Sequence, residues 1–202
     1  TELLAAGLVI ERDGGGSYDR FRNRLMFPVR DIQGKVLGFG ARALDESLPK
    51  YLNSPQTLVF DKSSCLYGID RAKVAIRQDN LAIITEGYID VIMAHQYGWQ
   101  NTVASMGTSV TERQLALLKN LTRNLILALD ADAAGEEAVS RSGELVDKML
   151  PVSPSVYGWV KYEDAHKAEV KILVLPQGKD PDEVIQEDVS QWKELIRDAK
   201  PI

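Results

Sequence analysis

From residue 81 onward, short apolar runs alternate with longer amphipathic stretches, and the runs lack a polar residue at every second position. A strand with one face in water shows that alternation; a strand without it is buried on both faces, as in a parallel sheet covered by helices. The runs at 81–85, 101–105, 125–129 and 170–175 therefore read as strands. The stretches 88–97, 111–119, 135–150 and 181–199 read as helices, the first closed by Gly98 and the second opened by Thr111 as N-cap. Strand–helix–strand repeats imply crossover connections in an α/β unit. Residues 151–169 break this rhythm with two prolines, Trp159 and mixed charges, and read as a surface insertion.

Before residue 80 the rhythm differs. Residues 2–10 read as the end of a helix followed by a strand, and Gly14-Gly15-Gly16-Ser17 as a loop. The runs 25–30 and 36–44 are strands joined by the short turn Asp31-Ile32-Gln33-Gly34-Lys35, where Gly34 supplies a positive φ. A helix over 69–77 stops at Gln78-Asp79-Asn80. We place a smaller α+β subdomain at 1–79 and the α/β unit at 80–202. Charge follows the same division: 12 Lys/Arg against 10 Asp/Glu before residue 80, and 12 against 19 after it. An acidic part suits metals and a basic part suits phosphates. Cys65 is the sole cysteine, so an internal disulfide and a cysteine-based zinc site are excluded. No run approaches the ~18 apolar residues of a membrane span, and no signal peptide opens the chain. No membrane association is expected, and the cytoplasm is the default location. The chain opens on Thr1 in mid-pattern, which reads as a piece of a longer protein.

Ligands of open parallel sheets bind outside the carboxyl ends of the strands. Those ends read Thr85-Glu86-Gly87-Tyr88-Ile89-Asp90, Ser105-Met106-Gly107-Thr108-Ser109, Asp130-Ala131-Asp132-Ala133-Ala134-Gly135 and Gly178-Lys179-Asp180-Pro181-Asp182-Glu183. Brought to one edge, the carboxylates would converge, and like charges that close call for a cation. Mg²⁺ or Mn²⁺, bound through a few carboxylates plus substrate phosphates, fits this chemistry. Gly87, Gly107 and Gly135 allow close backbone approach, and N–H groups at helix starts attract phosphate. Taken singly, Asp90 or Asp182 reads as a helix cap and Asp-x-Asp as an ordinary loop. The combination of acids with the intervening strand–helix–strand–helix–strand pattern carries the metal-site reading.

The Glu-Gly-Tyr-Ile-Asp, Met-Gly-Thr and Asp-Ala-Asp-Ala-Ala-Gly segments resemble the Toprim domain shared by topoisomerases and primases. The earlier segments, Asp19 to Asp31, Gly38 to Arg42, and Pro49 to Pro55 running on to Phe60, Lys62 and Leu66-Tyr67-Gly68, resemble bacterial DnaG-type primases. The resemblance covers almost the whole chain. It implies a Toprim-type central parallel sheet flanked by helices. It also implies a template-directed RNA polymerase that joins ribonucleoside triphosphates into primers on single-stranded DNA. By resemblance, Glu86, Asp130 and Asp132 bind catalytic metals, and Asp90, Asp180 and Asp182 complete the acidic cluster. Arg20, Arg22, Lys50, Asn53, Lys62, Gly107 and Thr108 fall where the family contacts template or nucleotide. A replicative helicase would be met by a C-terminal domain that this sequence does not contain. The insertion at 151–169 lengthens the path from Asp132 to Asp180 relative to the family.

Two rivals stand beside this reading: a Toprim nuclease or topoisomerase using the same acids, and a non-catalytic module that binds single-stranded DNA or a protein. Other residues have plain readings. Arg20, Arg22 and Arg24 alternate along a strand and present a solvated face. Tyr51 and Tyr67 belong to the core, Trp99 and Trp192 close apolar faces, and Cys65 is a small buried hydrophobe. His95 and His166 receive no role.

Overall fold

The turn at 31–35 organises the first part of the chain. The computed structural model describes residues 2–107, 109–128 and 169–201. Helix α1 (Glu2–Ala5) leads into a ribbon of β1 (Val9–Glu11) and β2 (Ser17–Asp19). A three-stranded antiparallel sheet follows, built from β3 (Arg24–Arg30), β4 (Val36–Ala43) and β5 (Tyr51–Asn53). In the β3–β4 turn the Asp31 carboxylate accepts from the N–H groups of Gln33 and Lys35, and Gly34 has φ 92°. Strand β2 ends at Asp19, so Arg20 and Arg22 lie in the bend between β2 and β3, not on a strand with Arg24 as their alternation implied. Asn23, at φ 51°, makes that bend.

Helix α2 (Ile69–Asp79) then leads to the second sheet. This sheet holds β6 (Ala82–Thr85), β7 (Thr102–Ala104), β8 (Asn124–Leu127), β9 (Glu169–Ile172) and β10 (Lys200–Pro201), in the order β10-β9-β8-β6-β7. Strands β6 to β9 are parallel and β10 runs antiparallel at the edge. Helices α3 (Tyr88–Gln96) and α4 (Glu112–Leu118) connect the strands, and α5 (Pro181–Glu187) and α6 (Val189–Arg197) follow β9. The strand expected at 170–175 starts one residue earlier and stops at Ile172, although Leu173 and Leu175 stay buried. The single helix expected over 181–199 is two. Asp188 is extended (φ −154°) and serves as C-cap of one and N-cap of the other, its carboxylate accepting from the Ser190 N–H. The helix expected at 135–150 and most of the insertion lie outside the described residues.

Both faces of the parallel sheet are covered, which is why its strands lack polar alternation. Ala82 and Ile84 of β6 with Leu125 and Leu127 of β8 pack against Ile69, Ala72 and Ile76 of α2 and Leu115 and Leu118 of α4. Ile83 and Ile126, one residue out of phase, face Ala94 of α3, Val184 and Ile185 of α5, and Trp192 of α6. Trp99 packs partly buried on that second core, as its reading anticipated. A third cluster, containing Phe27, Val29, Phe60, Cys65, Tyr88 and Met106, joins the antiparallel sheet to the carboxyl edge of the parallel one. Cys65 is buried there and burial pushes its thiol pKa up.

Candidate active site

The third cluster holds the site together. Tyr88, first residue of α3, stacks on Phe27 with ring centroids 5.1 Å apart and meets the edge of Tyr67 at 4.8 Å. Its hydroxyl donates to Asn53 Oδ1 at 2.6 Å, so a helix of one sheet fixes a side chain of the other. This ring lies directly across β4. A Cβ placed on Gly40 would stand 2.2 Å from Tyr88 Cζ, and one on Gly38 would stand 2.8 Å from the Phe60 ring. Gly38, Gly40 and Arg42 share one face of β4. The two glycines make room for aromatic rings, and Arg42 follows them toward the cleft.

That cleft, about 350 Å³, opens at the carboxyl end of β6. It gathers Glu86 from the β6–α3 connection, Asp90 from the first turn of α3, Asp180, Asp182 and Glu183 from the start of α5, Gly107 from the loop after β7, Arg42 from β4, Lys50 from the β4–β5 loop, and Tyr51 and Asn53 from β5. Met106 and Gly107 take positive φ values of 66° and 74°, and the Gly107 N–H donates to the Glu86 carbonyl at 3.1 Å. A buried methionine in that conformation is strained backbone at the rim of a cleft. Asp90 is buried. One of its oxygens accepts from the Gly87 N–H at 2.9 Å and the other from the Asp182 N–H at 3.3 Å. Asp90 is therefore not the N-cap of α3, which is Gly87, but its third residue, whose carboxylate reaches back to the N-cap N–H, and the same carboxylate also ties the start of α5 to α3. Burial, then the charges of Asp182 and Glu183, hold the Asp180 carboxyl above the ordinary carboxylate pKa, while Lys50 pulls it down.

Several residues named from sequence thus meet: Glu86, Asp90, Asp180, Asp182, Lys50, Asn53 and Gly107. Lys62 stands beside them, its Nζ 3.8 Å from where a Gly107 Cβ would sit, and burial lowers its pKa. Arg20 and Arg22 do not line the cleft. Arg20 Nε is buried without a hydrogen-bond partner among the described residues, and the Arg22 guanidinium lies 5.0 Å from the Tyr18 ring centroid. Asp130, Asp132 and Thr108 lie outside the described residues. Tyr51 is not core: it is 42% exposed and lines the cleft, with the Arg42 guanidinium 5.8 Å from its ring centroid. Tyr67 is partly buried against the third cluster, as expected. Arg42 and Tyr51 carried no role in the sequence. They are cross-strand partners, and the period-two pattern Gly38, Gly40, Arg42 was the signal that pointed to this face. Gln114 was also missed. Its buried amide nitrogen donates to the carbonyls of Cys65 (2.9 Å) and Lys62 (3.2 Å), holding the 3₁₀ turn that carries Lys62.

The donor set fits a hard divalent cation, since the acids are oxygen ligands crowded enough to raise one carboxyl pKa. Among the described residues, no three acidic, histidine or cysteine side chains close into a complete cation cage. No helix among them is long and apolar enough to cross a membrane.

Two family profiles match the chain: the DNA primase catalytic core, N-terminal domain, over residues 1–73, and the Toprim-like domain over residues 83–185. The chain is 43% identical over 202 residues to the DNA primase of Clostridium acetobutylicum, covering 100% of this chain and 31% of that protein. It thus spans about a third of the length of such curated relatives. In three dimensions it is similar to a DNA primase domain from Pseudomonas aeruginosa (TM-score 0.84, 37% identity, 98% of this chain and 59% of that one). It is equally similar to a DnaG primase catalytic domain bound to single-stranded DNA (TM-score 0.84, 38% identity, 98% and 58%). The fold, the two profiles and the relatives agree, and the chain belongs to the bacterial DnaG-type DNA primases, spanning the N-terminal domain of the catalytic core and the Toprim-like domain that follows it.

Proposed function

We propose that this cleft carries out nucleotidyl transfer: synthesis of short RNA primers on a single-stranded DNA template by the full-length protein during DNA replication. The observation that carries the reading is the meeting of Glu86, Asp90, Asp180 and Asp182 with Arg42, Lys50 and Asn53 in one cleft. Acids for metal and bases for phosphate come from two different sheets, joined by the Tyr88–Asn53 hydrogen bond. In this reading the catalytic acids are Glu86, Asp130 and Asp132. The last two follow in sequence from Ala128, whose N–H extends the ladder of β8 to the Ile84 carbonyl at 2.9 Å. Together with Asp90, Asp180 and Asp182 they would hold Mg²⁺ or Mn²⁺. A bound divalent cation supplies a lowered hydroxyl pKa and neutralises charge as it develops.

The chain's own side chains do the rest. Arg42 and Lys50 oppose the negative charge of a nucleoside triphosphate, and Asn53, oriented by Tyr88, offers its amide nitrogen as a donor. A 3′-hydroxyl attacks the α-phosphate of the incoming ribonucleotide and pyrophosphate leaves. No side chain is assigned to take the hydroxyl proton, which passes to water. Gly107 lets the main chain approach the nucleotide, with Lys62 beside it, and Thr108 is assigned to the same nucleotide contact. Arg20 and Arg22, outside the cleft, suit contacts with template phosphates, in line with the relative solved bound to single-stranded DNA.

The test is primer synthesis by the full-length protein on single-stranded DNA with Mg²⁺ and ribonucleoside triphosphates. Glu86→Gln and Asp130→Ala are expected to abolish synthesis, and to weaken Mn²⁺ binding by the 202-residue chain. Unchanged synthesis in either variant overturns the proposal. Nicking of supercoiled DNA by the wild type, without primers, favours the nuclease reading. Template affinity is expected to fall steeply with salt.

A further inference from the structure

A second cleft, about 820 Å³, lies on the other side of the aromatic cluster and shares no lining residue with the acidic one. The wall between them is the Tyr67–Tyr88 ring pair, with Tyr88 facing the acidic cleft and Tyr67 this one. Its chemistry is the inverse of the first. Arg30 from β3 and Arg71 from the first turn of α2 bring guanidinium groups from two separate elements. The Arg71 guanidinium makes no hydrogen bond or ion pair among the described residues, while its backbone N–H donates to the Gly68 carbonyl at 3.0 Å. Among the described residues the Arg30 guanidinium engages only through Nη1, to the Gly34 carbonyl at 2.8 Å, which leaves its other guanidinium N–H groups available. The Tyr67 ring and Ile92 of α3, which is 38% exposed, add apolar surface, and Gln96 adds an amide. His95 bonds the Thr102 carbonyl through Nε2 at 2.8 Å, which makes that nitrogen the donor and leaves Nδ1 as a neutral acceptor. Asp70 is the single acid on the lining, so the cations outnumber it.

We propose that this cleft is a second nucleotide-binding site, separate from the acidic cleft and independent of metal. The guanidinium pair takes a phosphate, and the Tyr67–Ile92 surface with Gln96 and His95 takes a planar base. Paired guanidinium donors suit phosphate oxygens, and a base can stack on an aromatic or apolar wall while hydrogen-bonding at its edge. The same chemistry is offered by a free ribonucleotide and by one nucleotide of a single strand.

The experiment measures fluorescence anisotropy of labelled ATP and of a labelled ten-residue oligothymidylate with the full 202-residue chain, in EDTA to exclude metal-dependent binding. Arg71→Glu is expected to weaken binding about ten-fold or more. Arg77→Glu, an equal charge change on the same helix outside the cleft, is expected to leave it unchanged. Thermal unfolding verifies that each variant is folded, and Arg71→Lys keeps the proposal testable should the reversal fail to fold, with a partial loss expected. Binding of ATP alone identifies a free nucleotide as the occupant, and binding of the oligonucleotide alone identifies a strand. No binding of either probe at millimolar concentration, or equal affinity in Arg71→Glu, overturns the proposal. Equal loss in Arg77→Glu overturns it as well.

Discussion

Among the described glycines, Gly40 leaves the least room for an added methyl group, and Gly40→Ala should be strongly destabilising. The added Cβ would sit 2.2 Å from Tyr88 Cζ and 2.3 Å from its hydroxyl oxygen. Carbon atoms settle at about 3.5 Å or more, so the ring must retreat by roughly 1.3 Å. It has nowhere to go, being 4% exposed and held between Phe27 and Tyr67. A retreat of that size breaks the 2.6 Å hydrogen bond to Asn53. Overpacking of this kind costs about 1–3 kcal/mol, and a lost hydrogen bond about 1 kcal/mol more. The expected loss is about 3 kcal/mol, read as a lowered urea midpoint. A double-mutant cycle separates the clash from unrelated effects: with Tyr88→Ala already present, Gly40→Ala should cost little. Primer synthesis should fall alongside stability, because Asn53 loses its orientation. A Gly40→Ala variant within about 0.5 kcal/mol of wild type, or additive costs in the cycle, would refute the reasoning.

Gln114→Ala should cost about 3 kcal/mol, since it strands the Lys62 and Cys65 carbonyls in a buried setting; a near-neutral change would mean that those carbonyls find other donors. Cys65, 3% exposed, should react with a thiol reagent only as fast as the chain opens, and prompt stoichiometric reaction in native buffer would contradict its burial. His95 gives a pH signature. Burial lowers its pKa below the ordinary 6.5, with Arg71 acting the same way and the Thr102 hydrogen bond and Asp70 opposing. In the range between the folded and unfolded values the unfolded chain binds the proton and the folded chain does not. Stability from His95 is therefore complete above 6.5 and is lost progressively as pH falls below it. His95→Gln should flatten this loss in urea midpoints measured from pH 7.5 down to 5, and an unchanged slope would count against it.

The acids after the strands were legible in the sequence because two local signals coincide there. Apolar runs without polar alternation mark buried parallel strands, and a carboxylate following such a run lands at the ligand-binding edge. Glu86, Asp90, Asp180 and Asp182 were found that way. Tyr51 was misread because an aromatic residue beside an apolar one resembles core from sequence alone. Its exposure follows from its place on the edge strand β5, opposite Arg42. The one helix read over 181–199 became two because Asp188 bonds the local backbone in place of continuing the helix.

Periodicity determined the parallel sheet, the turn at Gly34 and the chemistry of the acids, since each depends on residues a few positions apart. Tertiary structure alone decided which side chains share a cleft. Asp90 meets the Asp182 N–H across 92 positions and Tyr88 meets Asn53 across 35, distances at which no repeat pattern carries information. The second, cationic cleft was invisible for the same reason: Arg30, Arg71 and Gln96 become neighbours only once β3, α2 and α3 have packed around one pair of tyrosine rings.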